Sequence, residues 1–139
     1  MSPLLEFPLQ ARLVTPPATR RIPALLCYDR HDPLAVRAVF PAPPELEAPD
    51  TVWIFGRELL EVGLHAPAGI GDVHVRPCGP DRTAVELHAP EGMALIEFGT
   101  LELRRFLWRS YALVPQGQEH HNLGLDQDLT ELLRRPLQG

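Results

Sequence analysis

The sequence contains no lysine; all thirteen of its basic residues are arginine. Arginine cannot give up its charge and hydrogen-bonds through a planar fork. The absence speaks against the lysine-enriched composition of heat-adapted proteins, and the codon usage of a GC-rich genome is the simpler origin. Cysteine is scarce: Cys27 and Cys78 stand alone, which points to neither a disulfide scaffold nor a zinc site. The only serines are Ser2 and Ser110. Neither lies in a nucleophile elbow, and Ser110 falls within a helical pattern, so serine hydrolysis has no support. Aromatic residues make up 6% of the chain, so the core must rest on Leu, Val, Ile and Ala. No run approaches the roughly 18 apolar residues of a membrane span. The N-terminus has neither the basic start nor the continuous apolar stretch of a secretory signal. A soluble, cytoplasmic protein is expected.

What is present is ordinary globular composition, with 45% apolar and 22% charged residues in 139. That length suits one domain spanning 1–139. The net charge of −5 gives no overall attraction to nucleic acid or anionic lipid.

Alternation of apolar and polar residues predicts a strand over Leu5–Leu13. Pro8 assigns it to an edge or a bulge, and Pro16-Pro17 ends it. Strands follow at Ile22–Asp29 and Leu34–Phe40, then a proline-rich exposed loop over residues 41–49. The nearly all-apolar Thr51–Phe55 reads as a strand covered on both faces. A short helix over Arg57–Leu64 has Leu59, Leu60 and Leu64 on one side. The second half repeats the theme, with strands at Asp72–Arg76, Thr83–His88 and Met93–Phe98 and a long helix over Leu101–Val114 closed by Pro115. A last short helix is expected at Asp126–Arg134, with Asp126 as N-cap. Short turns between neighbouring strands predict an α+β domain with mostly antiparallel sheets.

Gly69-Ile70-Gly71-Asp72 leads into a strand, whereas phosphate cradles open onto a helix; it reads as a turn. The six histidines show no ligand spacing, and pairing across the turn at residues 79–81 sets His74 against Glu86 and Asp72 against His88. No catalytic residue, metal site or cofactor site is expected. On the long helix Leu103, Phe106, Leu107, Ser110 and Val114 form one stripe. Leu101, Arg104, Arg105, Trp108 and Ala112 fall on the opposite side. Trp108 there either packs under a loop or the C-terminal segment, or serves a partner or subunit interface, where Trp and Arg are enriched. Stacking single-stranded nucleic acid on Trp108 beside arginine is a third option, which the acidic balance disfavours.

Several phrases together resemble the SsgA-like sporulation and cell-division proteins of actinobacteria. They are Tyr28-Asp29, Asp32 to Val36, Trp53, Phe55, Arg57, Leu59-Leu60, Gly63-Leu64, Pro67, Gly69, Gly71 to Val73, Val75 and Pro77. Pro90 to Gly92, Phe106-Leu107, Val114-Pro115, Gly117, Glu119, Leu125-Asp126 and Leu132-Leu133 complete the set. The 41–49 insert, Trp108 and Tyr111 depart from the family pattern. The resemblance implies a non-enzymatic cytoplasmic protein that helps position the tubulin-like division protein FtsZ at septa, with an SsgA-like paralogue as a further partner. It also implies a trimer and a Whirly-like fold, two antiparallel sheets flanked by helices. The Lys-Gly-Lys motif of the single-strand-binding Whirly proteins cannot occur in this chain. The candidate partner surface is Arg105 and Trp108 on the helix, with Gly117, Glu119 and His120 in the loop Pro115 to Asn122.

Overall fold

A computed structural model describes residues 4–122, with side chains through His120. The helix expected at Asp126–Arg134 and the phrases at Leu125-Asp126 and Leu132-Leu133 lie outside these residues. Two four-stranded meanders follow one another. The first comprises β1 (Leu4–Thr15), β2 (Ala18–Asp29), β3 (Ala35–Phe40) and β4 (Thr51–Gly56), and leads into α1 (Arg57–Gly63). The second comprises β5 (Ala68–Ile70), β6 (Val73–Pro77), β7 (Arg82–Ala89) and β8 (Gly92–Gly99), and leads into α2 (Thr100–Leu113). A four-residue helix, α3 (Glu119–Asn122), comes last. Among the described residues no helix is long and apolar enough to cross a membrane.

The two expected sheets are joined into one antiparallel sheet of eight strands, in the order β4-β3-β2-β1-β8-β7-β6-β5. The join is narrow. β1 pairs with β2 along its whole length, but with β8 only at Arg12↔Glu97, Leu13↔Ile96 and Val14↔Leu95. The sheet also curls: rings of Phe40 on β3 and Phe98 on β8 lie 6.5 Å apart, although three strand spacings of about 4.8 Å would separate those strands in a flat sheet. The narrow join also corrects the placement of Pro8. β1 is central rather than an edge, yet Pro8 pairs only with Leu25 on β2. Its missing N–H falls where β1 has already parted from β8.

The core side of β1 and β2 carries Leu9, Ala11, Ala24, Leu26 and Tyr28, and that of β7 and β8 carries Val85, Leu87, Ile96 and Phe98. α2 covers this side with the stripe read from its period: Leu103, Phe106, Leu107 and Ser110 are buried. Phe106 meets Phe7 of β1 edge-on at 5.9 Å, which fills the opening left where β1 and β8 diverge. β4 differs from expectation. It is an edge strand, and Val52 and Ile54 face outward while Trp53 and Phe55 face the core. An apolar run satisfies either arrangement, and the run alone cannot choose between them. β5 was not expected. Its three residues, Ala-Gly-Ile, carry no alternation, yet they pair with β6 through a turn in which Gly71 holds φ 60°.

His74 does lie opposite Glu86, but Glu86 binds Arg76 and His88 instead. The His74 ring packs on His88, with centroids 5.1 Å apart.

Candidate functional site

The helix after β4 begins with an arginine, an unfavourable choice beside the positive end of the helix dipole. The structure resolves this conflict, because Arg57 is 2% exposed and belongs to a site assembled from four parts of the chain. Its Nη1 donates to the carbonyls of Ser110 at 3.1 Å and Val114 at 2.8 Å, and to Ser110 Oγ at 3.3 Å. Its Nη2 donates to Glu119 Oε2 at 2.8 Å. The guanidinium lies over the rings of Tyr28 and Tyr111, 4.8 and 4.6 Å from their centroids. One fork thus ties α1, the end of α2 and α3 together; it supplies a donor to the Val114 carbonyl just past α2 and a second one to the Ser110 carbonyl, which also accepts from Val114 N–H.

The surrounding groups are set by this charge. Tyr28, fully buried, donates to the Pro33 carbonyl at 2.9 Å. Burial pushes its pKa up to about 12 despite the opposing effect of Arg57. Tyr111 is pushed up by burial and by Glu61, whose Oε1 accepts a hydrogen bond from the Tyr111 hydroxyl at 3.1 Å. Burial pushes the Glu119 carboxyl up, but the hydrogen bond and charge of Arg57, with backbone amides of Glu119 and Gly117, outweigh it and hold the pKa below 4.5. Glu119 is aimed by the preceding turn. Gln118 N–H donates to the Pro115 carbonyl at 3.0 Å, and Gly117 supplies φ 87° at the third turn position.

Of the expected surface residues, Glu119 therefore faces inward onto Arg57, while Gly117 and His120 face solvent at the turn and α3. Arg105 and Trp108 lie apart from them on the outer face of α2, with Trp108 81% exposed. There, with Leu101 and Arg104, they form one wall of a groove of about 450 Å³ whose other wall is Glu61 and His65 of the α1 region. Tyr111 borders both this groove and the smaller hollow over Arg57 and Glu119. The resemblance marked Arg57, but residue-by-residue reading missed its role. The available signal was the cation in the first turn of a helix that follows a buried strand residue.

Among the described residues neither Ser110 nor Cys27 is placed as a nucleophile. Ser110 Oγ donates to the Leu107 carbonyl at 2.6 Å and accepts from Arg57, so it acts as a brace. Burial and Glu6 raise the Cys27 thiol against the opposing effect of Arg37, which keeps it protonated and a poor nucleophile. Among the described residues no group of three His, Cys, Asp or Glu is placed to hold a metal.

The fold, a paired antiparallel meander with its helices on the core side, occurs in solved structures. An SsgA-like sporulation-specific cell division protein from Thermobifida fusca superposes with a TM-score of 0.80 at 33% identity, covering 92% of this chain and 94% of that one. A second structure belongs to work reporting that mutations in SsgB correlate to longitudinal cell division during sporulation of Streptomyces coelicolor. It superposes with a TM-score of 0.77 at 38% identity, over 86% of this chain and 94% of that one. The sequence pattern described as Streptomyces sporulation and cell division protein, SsgA, matches residues 22–119. The sporulation-specific cell division protein SsgB of S. coelicolor is 41% identical over 138 residues, covering 96% of this chain and 98% of the relative. Its counterpart in Kineococcus radiotolerans is 43% identical over 117 residues, with 81% and 68% covered. The chain belongs to the SsgA-like family of sporulation and cell division proteins.

Proposed function

We propose that this protein works without catalysis in septum formation, helping to position FtsZ at division sites through protein–protein contacts. The observation that carries this reading is the outer face of α2. Trp108 is 81% exposed and Leu101 60% exposed, with Arg104 and Arg105 between them on the helix. A large exposed ring beside arginine is a costly arrangement for a surface with no partner and a common one at interface centres. The family relationship supports the cell-division setting, as does a matching structure reported with mutations in SsgB that correlate to longitudinal cell division during sporulation. On this reading the protein sits in the cytoplasm at septa, assembles as a trimer and also meets an SsgA-like paralogue. The curled antiparallel sheet with helices on one side is compatible with a Whirly-like fold. Single-strand nucleic-acid binding is the weaker reading, since the net charge is −5 and no lysine is present.

The test is a pull-down of FtsZ from the source organism by wild type and by Trp108→Ala. Capture is expected to fall at least tenfold in the variant, with the thermal midpoint unchanged because Trp108 contributes little to the core. Undiminished capture by the variant would remove Trp108 from the contact. Light scattering on the purified protein is expected to give three times the 15.5 kDa chain mass; a monomer at micromolar concentration would count against the trimer.

A further inference from the structure

Beside the first turn of α2, the junction of the two meanders gathers three arginines that form no ion pair with the described residues. The pairing register sets Arg12 of β1 directly opposite Arg21 of β2. Like charges in that relation repel. Across the junction Arg12 faces Glu97 of β8, but the Glu97 carboxylate accepts instead from the Cys78 thiol at 3.6 Å. Arg82 of β7 lies opposite Gly99, which has no side chain. β3 pairs with β2 only at Leu25–Cys27, so it offers Arg21 nothing. These three arginines, with Asp81 and Glu102, line one cavity of about 490 Å³. Among the described residues none of the five makes an ion pair within 4.0 Å.

We propose that this cavity binds a compact polyanion, a ligand with two or more adjacent phosphate or carboxylate groups. Three arginines from two meanders line it, and fork geometry suits both groups. Asp81 and Glu102 in the same lining disfavour long uniform polyanions and favour a small one held by the arginines. Because Arg12 and Arg21 belong to one meander and Arg82 to the other, the ligand bridges the three-pair join between β1 and β8. Binding therefore stabilises the fold as a whole.

The experiment is thermal unfolding of the full chain in pyrophosphate, in citrate and in sodium chloride at one matched ionic strength. Pyrophosphate or citrate is expected to raise the midpoint by a few degrees over chloride, and the larger rise distinguishes a phosphate from a carboxylate ligand. Arg21→Gln is expected to raise the midpoint slightly without any polyanion, because it removes the repulsion with Arg12, and to abolish the ligand-induced rise. Arg82→Gln is expected to leave the basal midpoint unchanged and to weaken the rise. No rise in wild type overturns the proposal. A rise that persists in full in both variants also overturns it, since it would reflect general anion exclusion from the surface.

Discussion

Replacing Arg57 with methionine is expected to cost about 3 kcal/mol of folding stability, as estimated for a broken buried charge network, measured by urea denaturation at pH 7. Methionine keeps most of the volume, so the loss is electrostatic rather than a cavity. The Val114 carbonyl would lose its donor past the end of α2, the Ser110 carbonyl would lose the arginine donor, and Ser110 Oγ would lose one of its two hydrogen bonds. A buried acceptor left unmet costs about 1–3 kcal/mol, and two ring contacts to the guanidinium go as well. Glu119 adds less to the loss, because its side chain is already 19% exposed and can turn to water. Lysine at position 57 is expected to fall between the two, since a point charge cannot span Val114 and Glu119 as a fork does. A methionine variant as stable as wild type would mean that the fork offsets only its own desolvation, the outcome seen when some buried ion pairs are replaced by apolar groups.

The same network gives a pH dependence. The folded pKa of Glu119 is held below its ordinary 4.5, so the unfolded chain binds its proton first as pH falls. Its contribution is complete above about pH 4.5 and is lost as pH drops through the folded value. Glu119→Gln removes that part of the acid limb, so comparing urea midpoints of wild type and variant at pH 7 and at pH 3.5 isolates it. The gap between the two is expected to narrow on acidification.

How much of this could be read from residues alone depended on how far apart the determining residues lie. The buried stripe of α2 and its exposed opposite side were legible because the 3.6-residue period is local, and every residue assigned to the stripe from Leu103 to Val114 is buried. The pairing of His74 with Glu86 was legible because a tight turn fixes register. The number of sheets was not. It turns on three residue pairs between Arg12–Val14 and Leu95–Glu97, and no local pattern encodes a contact between the two ends of the domain. The centre of the site was hidden for the same reason: Arg57 meets residues 53, 57 and 62 positions further along. Resemblance placed Arg57 and Glu119 within one set of phrases without indicating that they touch. The exposed surface was legible only as composition. Trp108 and Arg105 were recognisable as unusual on a polar helix face, but the groove they share with Glu61 depends on how α1 packs beside α2.

α1 also sits close on β6 at Gly63, where substitution by alanine is expected to cost about 3 kcal/mol, the upper end of the usual range for overpacking. In an isolated helix the same change would stabilise by up to about 1 kcal/mol, so the sign of the measured effect tests the structure. A Cβ on Gly63 would overlap both Cβ and Cγ1 of Val75. Rotating the valine about χ1 moves Cγ1 but leaves Cβ in place, and Val75 is 1% exposed between β5 and β7. Relief therefore requires α1 to lift from β6. Arg57 stands at the other end of that seven-residue helix, so lifting it also draws the guanidinium away from Val114 and Glu119. The Gly63→Ala and Arg57→Met losses should accordingly be less than additive when combined, because each variant already spends part of the same contact. Adding Val75→Ala to Gly63→Ala removes the Cγ1 clash but not the Cβ clash, and is expected to recover none of the stability once the cavity cost of the valine is included. A Gly63→Ala protein at least as stable as wild type in urea would show that α1 does not sit on β6 as closely as described.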